Sequence, residues 1–296
     1  MQTLLANKDA IFEIKKKVEE KDLSLYKHVA IPNIPITGLT ISIVMTACNR
    51  SKQTYFTLKT IQNSSHKAIQ VIIVDDSVKD PITKEELEKF PFYIDFISIN
   101  RQNKNWVNPV VNYNIGFGYI KGTKIIIQNA EVCHVGDVLS YIGTKIIDDN
   151  YYVCDIRASK SFDTNNLIYE NNLNSINIYN NNELFIKWWY QGKNRLVNYH
   201  FLSALTTQTF NKIKNFSYDY TMGLNYDDDD FLLKIIANNI NINNLFYDEY
   251  YFGGIHLWHS STLRKTIQKI ESNENIFIKK KENYLKQKIY KDFCFE

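Results

Sequence analysis

The first half of the chain alternates between continuous apolar runs and segments with helical periodicity. The apolar runs are rich in branched residues and have the length of strands that are buried on both faces. They occupy residues 39–48, 69–77, 93–100, 123–131 and 151–158. Segments with a polar face lie between them and predict helices at residues 51–62, 84–89, 109–120 and 136–147. Because strands alternate with helices, the sequence predicts an α/β architecture with a mainly parallel sheet covered on both faces.

The two ends and the second half of the chain have a different pattern of hydrophobic and polar residues. Ile11, Ile14 and Val18 recur at helical spacing and predict an accessory helix, after which "IPNIPITG" breaks regular structure. The C-terminal "FIKKKENYLKQKIYKDF" favours a packing helix with a solvated basic face, the alternative being a basic amphipathic helix that touches a membrane surface or a partner. We interpret the Asn-rich second half as part of the same domain, in which the first half forms one wall of a cleft and the second half forms the other. These patterns predict an N-terminal helical extension at 1–37, one domain at 38–260 and a C-terminal helical extension at 261–296.

The composition is that of an ordinary globular chain, with 44% hydrophobic and 23% charged residues among 296. The net charge is only +3 and the lysine-rich stretches lie at the two ends, so no groove for nucleic acid is expected. The four cysteines show no C-x-x-C spacing, which favours free thiols over a disulfide framework or a zinc site. No apolar run approaches the ~18 residues of a transmembrane segment, and the start lacks signal-peptide features. We therefore expect a cytoplasmic protein.

Polar side chains cluster at the carboxyl ends of the predicted strands. They are Thr46 and Asn49, then Asp75 and Asp76, then Asn129 and Glu131. In a parallel sheet these ends meet at one edge, where ligands bind near a switch in strand order, and the position suits a nucleotide. Taken alone, "VIIVDDS" is also typical of a turn in which Asp and Ser side chains bond the local backbone.

Two short motifs contain candidate metal ligands. Asn129 and Glu131 are two positions apart on a strand, so their side chains point to one side and suit a cation shared with a diphosphate. His256 and His259 in "GGIHLWHS" are three positions apart and could share one face of a turn. Each motif has an alternative, since Glu131 could begin the next helix as a cap and the histidines could be structural.

Four consecutive aspartates, Asp227 to Asp230, directly precede an apolar run. They are predicted to form the first turn of a helix whose apolar face is Phe231, Leu232 and Ile235. Carboxylates at a helix N-terminus interact favourably with its free N–H groups, by roughly 0.3–1 kcal/mol each. Capping explains one or two of the four aspartates, and the others are candidates for a role in catalysis.

The order of these motifs resembles inverting glycosyltransferases of the GT-A fold, most nearly glycosyltransferase family 2. The resemblance covers residues 39–260 and rests on "TACNR", "VIIVDDS", "NPVVNYNIGFGYIKGTKIIIQNAE", "YDDDDF" and "HLWH". The acidic and histidine motifs are also similar to those of β-1,4-galactosyltransferases. The resemblance implies an α/β GT-A, or nucleotide-diphospho-sugar transferase, fold with a mainly parallel central sheet flanked by helices.

The resemblance also implies roles for particular residues. The nucleotide-binding candidates are Thr46, Ala47, Asn49, Arg50, Asp75, Asp76, Asn114 and Asn129. "QNAE" stands where the family has its D-x-D metal motif, so Asn129 replaces the first Asp while Glu131 keeps the second carboxylate. The implied ligands of Mn²⁺ or Mg²⁺ are Glu131 and His259, with His256 as the second histidine. In the acidic run the catalytic base of the family corresponds to Asp228, and Asp227 borders the site toward the acceptor.

The implied reaction is a metal-dependent, inverting transfer of a hexose-type sugar from a nucleotide-sugar to a hydroxyl of a carbohydrate or glycoconjugate acceptor. A UDP-sugar is the favoured donor and a GDP-sugar the alternative. Arg50 and Arg195 are candidates for neutralising the leaving diphosphate. Trp188, Trp189 and Arg195 are candidates for contacts to the sugar or acceptor, although the two tryptophans could instead belong to a buried cluster.

Two other functions stay open. Because Asn129 replaces an Asp, the chain could be a catalytically silent protein that uses the scaffold to bind nucleotide-sugars or glycans. A nucleotidyltransferase ranks third, because "TACNRSKQ" lacks the glycine of a phosphate-binding loop after the first strand.

Overall fold

The computed structural model describes residues 2–171, 183–186, 191–193, 195–260 and 267–293. Its strands are β1 (Tyr26–Pro32), β2 (Ile41–Ala47), β3 (Ile69–Asp75), β4 (Tyr93–Ile99), β5 (Lys124–Asn129), β6 (Val132–Val135), β7 (Asn150–Cys154), β8 (Ile156–Ser159), β9 (Phe185–Ile186), β10 (Leu202–Thr206), β11 (Asn241–Leu245) and β12 (Gly253–His256). Its helices are α1 (Gln2–Glu19), α2 (Ser51–Gln62), α3 (Lys84–Leu87), α4 (Val110–Phe117), α5 (Val138–Lys145), α6 (Phe162–Asn171), α7 (Thr207–Ile213), α8 (Asp227–Ala237), α9 (Tyr247–Tyr250) and α10 (Ile267–Phe293), with a short 3₁₀ helix at Tyr218–Tyr220.

An eight-stranded sheet forms the centre of the described residues, in the order β1-β4-β3-β2-β5-β10-β7-β11. The four strands β4, β3, β2 and β5 run parallel, and every residue of β3 is buried, as the unbroken apolar runs predict. The chain builds outward from β2 to β4 and then crosses back to β5, on the other side of β2. Strand order therefore reverses between β2 and β5, which is where sheets of this type bind ligands.

Helices cover both faces of this sheet, as predicted. Leu58 of α2 and Leu139 of α5 belong to the hydrophobic core on one face, whereas Val111 of α4 and Phe231 of α8 belong to the core on the other. The helix starts of α2 and α8 therefore approach the same edge of the sheet from opposite faces.

A second sheet of four strands, in the order β6-β12-β8-β9, continues from the end of β5. Strand β12 pairs antiparallel with β6, so that His256 lies opposite Val132. The amide of Leu257 donates a hydrogen bond of 2.9 Å to the carbonyl of Glu131. This pairing brings the histidine motif next to a residue more than one hundred positions earlier in the chain.

Two local predictions differ from the structure. The predicted strand at 151–158 is split at Asp155 into β7 and β8, which lie in different sheets. The buried carboxylate of Asp155 accepts a hydrogen bond of 3.3 Å from the amide of Tyr247, and its own amide donates to Leu245, so the backbone turns out of the first sheet there. The alternative in which Glu131 caps the next helix is wrong, because Asp137 caps α5 by accepting from the amide of Ser140.

Both ends of the chain pack against the central part. The N-terminal segment, predicted to be helical, contains α1 but also strand β1, which pairs antiparallel with β4 along its whole length. Helix α10, in the predicted C-terminal extension, packs against α8. The domain boundaries at residues 37 and 260 stay a prediction. Within the described ranges, no helix combines the length and the apolar character that crossing a membrane requires.

Candidate active site

A cavity of about 610 Å³ opens at the carboxyl ends of β2, β3 and β5. Of the residues predicted to bind nucleotide, those that line it are Thr46, Ala47, Asn49, Arg50, Asp76 and Asn129. Further lining residues follow β4, among them Arg101, Lys104 and Trp106. Others precede β10, namely His200 and Phe201, or begin α8, namely Asp227 and Asp228. Small-molecule sites commonly measure ~300–1,000 Å³, so the cavity has the size of a small-molecule site.

Two of the predicted nucleotide-binding residues do not line the cavity. The carboxylate of Asp75 accepts hydrogen bonds from the amides of Ser77 and Ile82, at 3.1 and 3.0 Å, and burial raises its pKa. It fixes the turn after β3, as in the alternative interpretation of "VDDS". Asn114 is buried in α4, and its Nδ2 donates to the carbonyl of Phe216 at 3.0 Å.

Asp76 is the carboxylate after β3 that faces the cavity, and two basic residues pair with it. Arg101 Nη1 donates to Oδ1, and Lys104 Nζ donates to Oδ2. Lys104 also lies 5.7 Å from the centre of the Trp106 ring, within cation–π distance. Two cations against one carboxylate leave net positive charge, which suits a phosphate group. Neither basic residue was predicted, although the basic and aromatic run "RQNKNW" directly after β4 was a signal.

Glu131 is the centre of a buried cluster. Its Oε1 bonds Arg50 Nη1 and lies 3.3 Å from His256 Nε2 and 3.4 Å from His259 Nε2. Burial opposes ionisation of this carboxyl, but the guanidinium of Arg50 and hydrogen bonds from the two histidines hold the pKa of Glu131 well below its usual value. Burial also lowers the pKa of His256, which favours the neutral imidazole that can ligate a metal.

These three side chains fit a divalent cation. One ligand atom from each of Glu131, His256 and His259 lies within 4.8 Å of the other two. Glu131 Oε2 is buried and has no hydrogen-bond partner among the described residues, so a lone pair is left for a ligand. Imidazole nitrogens and a carboxylate suit a borderline transition metal. Asn129 is not a member of the triad, and its Oδ1 lies 3.3 Å from the hydroxyl of Tyr113 instead.

The four aspartates form the first turn of α8, as predicted. Asp227 is buried, and its Oδ1 accepts a hydrogen bond of 3.0 Å from Asn108 Nδ2. Asp228 is 29% exposed at its side chain, and its Oδ1 lies 2.9 Å from Nδ1 of the buried His200. Burial, and next the negative charge of Asp228, raise the pKa of Asp227 to about 6. The cavity therefore meets one accessible and one buried carboxylate side by side.

The remaining two aspartates support the helix start. Asp229 Oδ1 accepts from the hydroxyl of Tyr199 at 2.6 Å. Asp230 is buried, accepts from the hydroxyl of Tyr220 at 3.2 Å, and lies 3.6 Å from Lys280 Nζ. Neither carboxylate lines the cavity.

Of the three candidates for sugar or acceptor contacts, the structure describes one, Arg195. Trp188 and Trp189 lie outside the described residues. Arg195 pairs with Gly192 through backbone hydrogen bonds of 2.9 and 3.1 Å, on the segment that leads to His200, and it does not line the cavity.

Comparison with known proteins links this site to a family. The family described as Glycosyl transferase family 2 matches residues 42–212, more than half of the chain. No curated protein matches the chain.

Two solved structures illustrate the likeness in fold. Staphylococcus aureus TarS matches with 12% identity and a TM-score of 0.52, over 74% of this chain and 37% of that one. S. aureus TarS 1-349 in complex with UDP-GlcNAc matches with 13% identity and a TM-score of 0.52, over 75% of this chain and 59% of that one. This chain thus spans less than two thirds of the length of either structure. At these identities the likeness shows the fold, which is the GT-A fold that the motifs implied.

Proposed function

The chain belongs to glycosyl transferase family 2, and on this premise we propose that it is a metal-dependent, inverting glycosyltransferase that moves a sugar from a UDP-sugar to an acceptor hydroxyl. One observation carries the proposal: the cavity at the strand ends is lined by Glu131, whose carboxylate lies against His256 and His259, and also by Asp227 and Asp228. A cation site for the leaving group and a carboxylate for the attacking hydroxyl therefore border the same space.

The cavity is the proposed donor site. The carboxylate of Asp76 can accept hydrogen bonds from a nucleobase or from ribose hydroxyls, and Arg101 and Lys104 beside it can donate to phosphate or carbonyl oxygens. TarS 1-349, which shares the fold, is described in complex with UDP-GlcNAc, and this supports a UDP-sugar over a GDP-sugar as the donor.

Glu131, His256 and His259 are the proposed ligands of a divalent cation. Mn²⁺ suits this set better than Mg²⁺, because Mg²⁺ prefers oxygen ligands and two of the three ligand atoms here are imidazole nitrogens. When bound, the cation supplies positive charge to the leaving diphosphate. Arg50 lies against the same carboxylate and adds a guanidinium to that charge.

Asp228 is the proposed general base. Its carboxylate lines the cavity and is accessible enough for an acceptor hydroxyl to reach it. The hydroxyl oxygen forms a bond to the anomeric carbon from the face opposite the nucleotide, its proton passes to Asp228, and the bond to the diphosphate breaks. This sequence inverts the anomeric configuration. The buried His200 lies beside the proposed base, with its Nδ1 at 2.9 Å from the Asp228 carboxylate.

The variant Asp228→Asn tests the base. We expect turnover of a UDP-sugar, donor hydrolysis included, to fall about 10²–10⁴-fold, while the affinity for UDP measured by calorimetry stays within about two-fold. Asp229→Asn is the matched control, because Asp229 bonds Tyr199 and does not line the cavity. If Asp228→Asn kept the turnover of the unchanged protein, the assignment of the base would be wrong.

A second candidate function is binding of nucleotide-sugars without catalysis. The observation in its favour is that Arg50 already neutralises Glu131 at a site where Asn129 adds no charge. The two candidates differ in Mn²⁺-dependent hydrolysis of the donor. Hydrolysis of a UDP-sugar favours the transferase, whereas binding of several donors with no hydrolysis of any favours the binding protein.

A further inference from the structure

The turn directly before the acid cluster has a conformation that needs external support. Asn225 and Tyr226 both have left-handed backbone angles, with φ of 64° and 65°. Residues with a side chain seldom adopt this region, and two in succession are strained. Tyr226 also occupies the cap position of α8 without making a side-chain capping bond. The turn sets the direction in which Asp227 and Asp228 leave the backbone, so whatever holds it also aims these carboxylates.

Helix α10 supplies contacts to this turn. The side chain of Asn273 is buried although it lies on a long surface helix, and its Nδ2 donates to the carbonyls of Asn225 at 3.0 Å and Tyr220 at 3.3 Å. The ring of Phe277 stacks on Tyr226 with 5.6 Å between ring centres. One turn further, Lys280 Nζ lies 2.8 Å from Asp219 and 3.6 Å from Asp230.

The loop at Gly223 and helix α10 are in close contact. A Cβ on Gly223 would lie 2.0 Å from Asn273 Oδ1, so only glycine fits opposite this amide. Asn273 is thus enclosed by the loop and bonded to backbone atoms on both sides of Gly223. Because the buried Asn273 amide bonds backbone carbonyls, it fixes the path of the loop backbone in addition to holding the loop against the helix.

We propose that Asn273 is a positioning residue of the active site: it holds the left-handed turn at Asn225 and Tyr226 so that Asp227 and Asp228 face the cavity. The inference rests on the proposed function, in which Asp228 is the base. The C-terminal helix is then a working part of the catalytic unit, although it lies beyond the residues that the family match covers.

The variant Asn273→Ala removes the amide, and Asn275→Ala is its matched control, because Asn275 is an exposed asparagine on the same helix. We expect Asn273→Ala to lower kcat about 10–100-fold, as a misplaced catalytic group does, with the KM for a UDP-sugar changed less than about two-fold. Gly223→Ala attacks the same contact from the loop and should shift the same two constants in the same direction. Asn275→Ala should match the unchanged protein.

Hydrogen exchange of the peptide covering residues 224–232 gives a readout that does not depend on turnover. Exchange there should accelerate in Asn273→Ala and Gly223→Ala but not in Asn275→Ala. Unchanged kcat and unchanged exchange in Asn273→Ala would overturn the inference, and so would an equal loss in Asn275→Ala. If the unchanged protein turned over no donor, the proposed function would fail while the exchange data would still decide whether Asn273 holds the turn.

Discussion

Asp227 and Asp228 are adjacent and chemically identical, yet their surroundings give them different properties. Asp227 is buried and bonded to Asn108, and its pKa is raised to about 6. Asp228 is partly exposed and paired with His200. Active sites commonly separate the roles of two carboxylates in this way, by environment and not by residue type. The accessible member suits proton transfer, and the buried member maintains negative potential beside it.

The raised pKa of Asp227 has a consequence for stability. Its folded value of about 6 lies above the ordinary 3.8, so between these values the folded protein binds more protons than the unfolded chain. Stability therefore falls as the pH rises through this window, and the loss is complete above about pH 6. Asp227→Asn cannot ionise, and Asn can still accept the bond from Asn108. We expect its Tm to exceed that of the unchanged protein by roughly 2–6 °C at pH 7.5 and by little at pH 4.

Thermal unfolding monitored by circular dichroism across this pH range checks the expectation. Asp229→Asn serves as the control, because its partner Tyr199 lies at the surface side of the cluster and the carboxylate is not buried. A difference in Tm for Asp227→Asn that stayed constant from pH 4 to pH 7.5 would contradict the raised pKa.

Individual site residues were predictable only where a motif is local in the chain. The acid cluster, Glu131 and the two histidines belong to short patterns, and their positions follow from the strands and helix on which they lie. Asn108 and His200 belong to no such pattern. Asn108 meets Asp227 across 119 positions of sequence, and His200 reaches Asp228 from the end of an irregular segment. These contacts arise from tertiary packing, which no local spacing encodes.

At the scale of elements, the position of α4 depends on one glycine. A Cβ on Gly116 would lie 2.8 Å from Val44 Cγ1 and 3.3 Å from Val74 Cγ2, on the two strands beneath the helix. Both strands end at the cavity, so a displacement of α4 would also move Tyr113 and Asn112, which line it. The helix is thus packed against the sheet with no space for a larger residue.

Gly116→Ala is expected to lower the free energy of unfolding by about 1–3 kcal/mol, the usual cost of inserting a methyl group into a close-packed core. Gly118→Ala is a suitable comparison, because Gly118 has right-handed helical angles at the end of the same helix and a Cβ there would lie 3.2 Å from the carbonyl oxygen of Ile115, a milder contact than at Gly116. That change should cost less than Gly116→Ala, since the contact at Gly118 is milder and alanine restricts the unfolded chain. Urea unfolding of the two variants measures both values; equal stability of the two would refute the close packing at Gly116.

The elements of the sheet differ in how far the sequence predicts them. The buried strands β2 to β5 show as unbroken apolar runs, because both faces of each strand are covered. β11 reads "NINNL" and has only Leu245 fully buried, so neither alternation nor an apolar run marks it. The edge strand β1 alternates irregularly and ends at Pro32. Its pairing with β4 joins residues more than sixty positions apart, so the local sequence pattern does not predict it.

At the scale of the whole molecule, the cavity joins segments that are far apart in the chain. Glu131 follows β5 and Asp228 lies in the first turn of α8, and both line the cavity. His256, at the end of β12, is connected to the cavity through Glu131, at 3.3 Å from its Oε1. A donor and a cation bound together would contact all three segments. Because such ligands bind the folded chain and not the unfolded one, they must raise its stability by mass action. A change in the Tm of the whole protein therefore reports ligand binding at the site, even when the acceptor is not known.

A thermal-shift experiment with UDP-GlcNAc, GDP-mannose and CMP-sialic acid, each with and without Mn²⁺, uses this link. At about 100-fold excess over Kd a ligand adds about 2.7 kcal/mol, so we expect UDP-GlcNAc with Mn²⁺ to raise Tm by about 4–8 °C. The other two nucleotides should give smaller shifts. Glu131→Gln should keep the shift from the nucleotide and lose the increment from Mn²⁺, because the triad loses its carboxylate. An undiminished Mn²⁺ increment in Glu131→Gln would place the cation elsewhere, and equal shifts with all three nucleotides would contradict the assignment of the donor.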